Sequence, residues 1–65
     1  MKIRLNGIER ETPAATLAEL VRDLGLPDER IAIELNRRPV RRADWPGTPL
    51  AEGDRIEILH FVGGG

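Results

Sequence analysis

The residues with most to offer chemically are the last three, Gly63-Gly64-Gly65. Three glycines after an apolar run have no side chain to pack, and they lose more freedom on ordering than any other residue type. Their one asset is slimness. A segment without Cβ atoms threads a narrow channel and places its terminal carboxylate in another protein's active site. There the carboxylate can be adenylated and then attacked by a nucleophile. A frayed end without chemistry is the other reading, and on the tail alone both stand.

The residues just before the tail add to the picture. Ile56 and Ile58 take the inward register of a strand, with Glu57 outward. Leu59 and Phe61 then fall outward, while His60 and Val62 fall inward. An outward Leu-Phe pair beside the glycines is an exposed apolar patch of the kind partner surfaces carry. A local bulge that turns one of the two inward is the alternative. His60 reads as a strand-end residue, because no second titratable group is placed to work with it.

The rest of the inventory excludes more than it offers. The chain has 65 residues, a formal net charge of -1, no Cys, no Tyr and a single His. It also has no Ser, and Lys2 is its one lysine. Neither a Cys/His nor a Ser/His/Asp nucleophile system can be assembled, and one His with scattered carboxylates does not make a zinc site. A self-contained enzyme is therefore not expected, and neither a catalytic residue nor a metal ligand is assigned. Ten basic against eleven acidic residues give no global field toward nucleic acid or a membrane surface. No run approaches the ~20 apolar residues of a membrane span, and the start lacks the apolar core of a secretory signal. The expected location is the cytoplasm, with which the absence of Cys agrees.

A chain this short buries only about 60% of its unfolded surface, so nearly every element must serve the core. Met1, Ile3 and Leu5 alternate with Lys2, Arg4 and Asn6 as a strand. Asn6-Gly7 is a strong hairpin signal, since a type I′ turn needs positive φ at both central positions. The return strand, about Ile8 to Thr12, is short and charged, as suits an edge. Thr16-Leu17-Ala18-Glu19 is a capping box whose Glu19 can reach back to the cap backbone. Leu17, Leu20, Val21 and Leu24 form one helical stripe. Gly25 then supplies a left-handed C-terminal cap, Leu26 folds back on the last turn, and Pro27 blocks continuation.

Ile31, Ile33 and Leu35 mark a third strand. From Arg37 to Pro49 the pattern dissolves among Pro39, Pro46, Gly47 and Pro49, leaving room for one helical turn near Arg42–Trp45. Leu50 to Glu52 is expected as a brief fourth strand, Glu52-Gly53-Asp54 as a turn, and Arg55 to Val62 as the last strand. Arg37-Arg38-Pro39-Val40-Arg41-Arg42 is a basic run that reads as a solvated loop, with phosphate or an acidic surface as the alternative partner. Trp45 reads as a plug sealing one end of the core, in preference to a binding hot spot.

Hairpin, helix, strand, irregular segment, strand is the order of a two-layer α+β domain. The β-grasp topology satisfies it, with a mixed four- to five-stranded sheet, one crossing helix, and the first and last strands parallel in the middle. Residues 1–62 make the domain and 63–65 a flexible tail.

Along its whole length the chain resembles the ThiS-type sulfur carriers of thiamine (thiazole) biosynthesis, within the ubiquitin-like group. The resemblance rests on Ile3-Arg4-Leu5-Asn6-Gly7, Ala32-Ile33-Glu34-Leu35-Asn36, Val40-Arg41-Arg42-Ala43-Asp44-Trp45, Leu50-Ala51-Glu52-Gly53-Asp54-Arg55-Ile56-Glu57-Ile58 and Phe61-Val62-Gly63-Gly64-Gly65. It implies a carrier with no bound cofactor. An E1-like enzyme of ThiF or MoeB type adenylates the Gly65 carboxylate with ATP, sulfur replaces the adenylate to give a thiocarboxylate, and a ThiG-type thiazole synthase takes the sulfur. Gly63 and Gly64 extend the arm, and Leu59 with Phe61 forms the docking patch. A MoaD-like carrier for molybdopterin and a non-covalent β-grasp interaction module are the alternatives. Residues following Gly65 in the gene argue against a carrier unless a protease removes them.

Overall fold

The computed structural model describes residues 1–61. Val62 and the glycines Gly63, Gly64 and Gly65 lie outside the described residues, so the expected end of the last strand and the whole tail do too.

Five strands form one mixed sheet: β1 (Lys2–Leu5), β2 (Ile8–Glu11), β3 (Ile31–Leu35), β4 (Arg38–Val40) and β5 (Arg55–His60). Their order across the sheet is β2-β1-β5-β3-β4, with β1 and β5 parallel and the other neighbours antiparallel. The helix α1 (Leu17–Leu24) covers one face. This is the β-grasp arrangement, and its two most apolar strands lie inside.

The helix forms where the capping box sits. Thr16 adopts an extended conformation and its hydroxyl accepts from the Glu19 N–H at 3.2 Å. The Glu19 carboxylate accepts from Ala15 N–H at 3.1 Å, one residue earlier than the cap itself. At the other end Gly25 has φ 70°, Gly25 N–H donates to Arg22 and Leu26 N–H to Val21. Those two bonds are the Schellman pattern. Leu17, Leu20 and Val21 are buried and Leu24 lies against the core at its margin. Leu17 and Leu20 join Ile3 and Ile56 as the most deeply buried side chains. Each contributes about 1.5–3 kcal/mol through burial.

The segment after β3 departs from expectation. The fourth strand is Arg38–Val40 and not Leu50–Glu52. Asn36 (φ 51°) and Arg37 (φ 71°) turn the chain back, and Pro39 stands opposite Glu34 at the edge of the sheet. Proline is tolerated there because an edge strand has one side on which no ladder donor is needed. Leu50 is buried, and its N–H donates to Ala15, outside the sheet. Thr16 and Pro49 make a single bridge beside the helix entry.

The helical turn expected near Trp45 is a 3-10 segment, Arg42–Gly47. Trp45 is only 3% exposed, and its indole N–H donates to the Val40 carbonyl at 3.0 Å. It fills the core beneath this segment, as a plug does. A second short 3-10 turn, Asp28–Arg30, delivers the chain into β3.

Candidate functional site

The strand β5 leads toward the glycines, so what holds and decorates it defines the site. Its position at the centre follows from alternation: Ile56 and Ile58 are buried under α1, with β1 on one side and β3 on the other. Two side chains clamp its backbone from opposite flanks. On the β1 side, Asn6 Oδ1 accepts from Ile58 N–H at 2.8 Å and its Nδ2 donates to the Ile58 carbonyl at 3.3 Å. On the β3 side, Asn36 Oδ1 accepts from Arg55 N–H at 3.0 Å while its Nδ2 donates to Asp54 Oδ1 at 3.1 Å. These asparagines extend the sheet ladder with side-chain amides where the neighbouring backbone turns away. Neither asparagine is a site candidate in the sequence. The Asn-Gly turn signal marked Asn6, but nothing local marked its reach of 52 positions.

Leu59 is 62% exposed and Phe61 58% exposed, so neither turns into the core. The strand continues without a bulge: Ala32 pairs with Leu59, Ile31 with His60, and Phe61 N–H donates to the Arg30 carbonyl at 2.7 Å. His60 is exposed and borders a gap lined by Leu5, Asn6, Leu24, Leu26 and Ile58, with no other titratable side chain in it. Among the described residues no group of three potential metal ligands comes together. No described helix is long and apolar enough to cross a membrane.

The face of the sheet away from α1 carries the charges. Along β5 the outward residues are Arg55, Glu57 and Leu59. Their cross-strand neighbours are Arg4 on β1 and Glu34 and Ala32 on β3. Arg4, Gly7, Glu34, Arg37, Arg55 and Glu57 line an open hollow here. The basic run, by contrast, is not a loop and not one patch. Arg37 sits on the open face, Arg38 is opposite Leu35 at the sheet edge, and Arg42 borders a groove against α1 with Arg22 and Trp45.

With the face described, the relatives can be placed. The ThiS family model matches residues 3–65. The chain belongs to the ThiS family. It is 31% identical over 61 residues to the sulfur carrier protein ThiS of Thermus thermophilus, covering 94% of this chain and 95% of that one. The crystal structure of the thiamine biosynthesis protein ThiS of Geobacter metallireducens superposes with a TM-score of 0.83 at 30% identity, covering both chains completely. It is also 42% identical over 66 residues to a thiazole synthase of Magnetococcus marinus. The match takes in all of this chain but only 20% of that synthase, so the chain spans about a fifth of its length.

Proposed function

We propose that this chain is a sulfur carrier of thiamine biosynthesis, and that Gly65 is the residue that bears the sulfur. The observation that carries the reading is the exposed apolar pair formed by Leu59 on β5 and Phe61 just past its end, next to the glycines in sequence. Family membership and the ThiS carriers among the relatives support it.

In this reading residues 1–62 are the handle that a partner grips and 63–65 the arm that it threads. An E1-like adenylyltransferase of ThiF or MoeB type uses ATP: a carboxylate oxygen of Gly65 attacks the α-phosphorus and pyrophosphate leaves. The resulting acyl-adenylate has AMP as a good leaving group, which a carboxylate at neutral pH lacks. Hydrosulfide from a sulfur donor attacks the acyl carbon, the C–O bond to AMP breaks, and a thiocarboxylate, AMP and a proton result. A thiazole synthase of ThiG type receives that sulfur, a pairing supported by synthases that contain a region similar to this chain. Gly63 and Gly64 keep the arm narrow, and Leu59 with Phe61 docks the handle. The chain acts as co-substrate, binds no cofactor of its own and works in the cytoplasm.

Intact-protein mass spectrometry after incubation with ATP, the activating enzyme and a sulfur donor tests this. A sulfur-for-oxygen mass increase on Gly65 is the expected result. Deleting Gly65 abolishes it while the thermal midpoint stays unchanged. A terminus left unmodified under conditions that load a recognised carrier overturns the reading.

A further inference from the structure

The last strand overhangs one of its neighbours. β1 pairs with β5 at two rungs, Arg4 with Arg55 and Leu5 with Ile56, whereas β3 runs alongside as far as Ile31 opposite His60. Past Ile56 the β1 flank of β5 is held by a side chain. The Asn6 amide takes both the N–H and the carbonyl of Ile58, as one more rung of backbone would. Backbone groups along a strand point alternately to its two flanks. Arg55 and Phe61 bond toward the β3 side, to Asn36 and Arg30, while Ile56 and Ile58 bond toward the β1 side, both to Asn6. His60 falls in the second set. Its N–H and carbonyl face the β1 flank beyond Asn6, and among the described residues neither has a partner.

Both faces of this open flank are apolar. On the helix side it borders a gap of about 250 Å³ lined by Leu5, Asn6, Leu24, Leu26, Ile58 and His60. Leu5, Leu24 and Leu26 pack on the core and are only partly covered. On the other side Leu59 and Phe61 stand exposed. A strand edge with unpaired N–H and carbonyl groups is a template for another strand, and charge is the usual guard against it. β2 carries that guard in Glu9, Arg10 and Glu11. Among the described residues no Asp, Glu, Lys or Arg lines the gap beside His60.

We propose that the open flank of β5 at His60 receives an extended apolar segment of the thiazole synthase, added to the sheet as a short strand in line with β1. This rests on the carrier reading above and names how the partner grips the strand before the arm. The segment's backbone accepts from the His60 N–H and donates to its carbonyl. Side chains of a strand alternate between faces, so one residue enters the gap at Leu5, Leu24 and Leu26 and the next lies beside Leu59 and Phe61. Main-chain bonds of this kind supply affinity, and the pockets for alternate side chains supply specificity. A charged segment would leave both apolar faces unsatisfied. The synthase is the occupant because relatives that hold a region similar to this chain within a synthase support that pairing. A second copy is a poor fit, since its own edge strands offer Glu9-Arg10-Glu11 and Arg38-Pro39.

Hydrogen exchange read residue by residue, on the full chain alone and with the thiazole synthase of the same organism, tests this. In the free chain the His60 amide should exchange fast, and those of Ile58 and Phe61 more slowly. In the complex the His60 amide should slow by about tenfold or more. His60→Pro removes the donor on the open flank and leaves the β3 ladder whole, so its Kd for the synthase should rise about tenfold. His60→Ala keeps the N–H and should stay within about twofold. If the proline variant does not fold, exchange in the unaltered protein decides alone. A His60 amide that exchanges equally fast in the complex, or an alanine variant as weak as a folded proline variant, overturns the proposal. So does a His60 amide that is protected in the free chain and loses protection on dilution, because a second copy then fills the flank. Sulfur loading of Gly65, read by mass, separates the two failures. A chain that loads but leaves His60 unprotected with the synthase sinks this proposal alone; one that never loads sinks the carrier reading with it.

Discussion

The two β-hairpins of this molecule use the same turn for the same purpose with different residues. At the tip joining β1 to β2, Asn6 and Gly7 have φ of 50° and 83°; at the tip joining β3 to β4, Asn36 and Arg37 have φ of 51° and 71°. Each asparagine sends its amide to the backbone of β5, the strand between the two hairpins. The difference lies in depth and in the second residue. Asn6 meets Ile58, a buried position, through both its amide atoms, whereas Asn36 meets exposed Arg55 and spends its other bond on Asp54. A matched device therefore carries unequal weight, because an amide group left without a partner costs more where water cannot replace it.

The largest effect should follow from breaking the deeper clamp. Asn6→Ala removes both bonds to Ile58 and puts an alanine at φ 50°, for a combined loss of about 2–3 kcal/mol. Asn36→Ala carries the same cost of an alanine in the left-handed region, at φ 51°, but leaves its stranded N–H near solvent, and a smaller loss of about 1–2 kcal/mol is expected. Urea titrations of the two variants give the comparison directly. Equal losses would show that burial does not separate the clamps.

How far the sequence could be read divides along the same line. The first hairpin, the helix with both caps, and the core stripe were legible, because each is written in residues a few positions apart. Asn-Gly, Thr-x-x-Glu and Gly-Leu-Pro each satisfy a local backbone demand. The second hairpin was not legible, since Arg37 is not a residue that advertises positive φ and Pro39 reads as a breaker wherever an edge strand is not already known. Without that hairpin, Leu50 to Glu52 is the stretch the pattern offers for a fourth strand, a place that Arg38–Val40 fills. Trp45 was legible as a plug because its surroundings of prolines and glycine leave a large ring few other uses. The apolar pair at Leu59 and Phe61 was visible from a slip in alternation. The like-charged rungs were not, because Arg4 with Arg55 and Glu34 with Glu57 are distant in sequence and meet only through strand order.

The second residues of the turns offer a smaller contrast. At Gly7 an added Cβ meets nothing within 4 Å, so Gly7→Ala creates no clash and its effect is conformational. Holding alanine in the left-handed region costs about 1 kcal/mol, and the reduced freedom of the unfolded chain offsets part of it. A net loss somewhat below the Asn6→Ala value should appear as a lowered Tm with binding unchanged. A drop as large as that of Asn6→Ala would mean the turn itself, and not the clamp, holds β1 to β5.

The opposite substitution sharpens the comparison most finely. Arg37 holds φ 71° with a full side chain, a conformation that is rare outside glycine and asparagine. Arg37→Gly relieves that strain but frees the unfolded chain, so the two terms oppose each other and a gain of only about 0.5 kcal/mol is expected. The side chain also borders the open hollow with Glu34 and Glu57, which gives a second readout. If Arg37 is kept for the surface and not for the turn, Arg37→Gly should raise Tm slightly and at the same time change the Kd for the thiazole synthase. A stability loss in this variant would place the arginine in the turn's own energetics, and the two hairpins would then differ in how they fold as well as in what they hold.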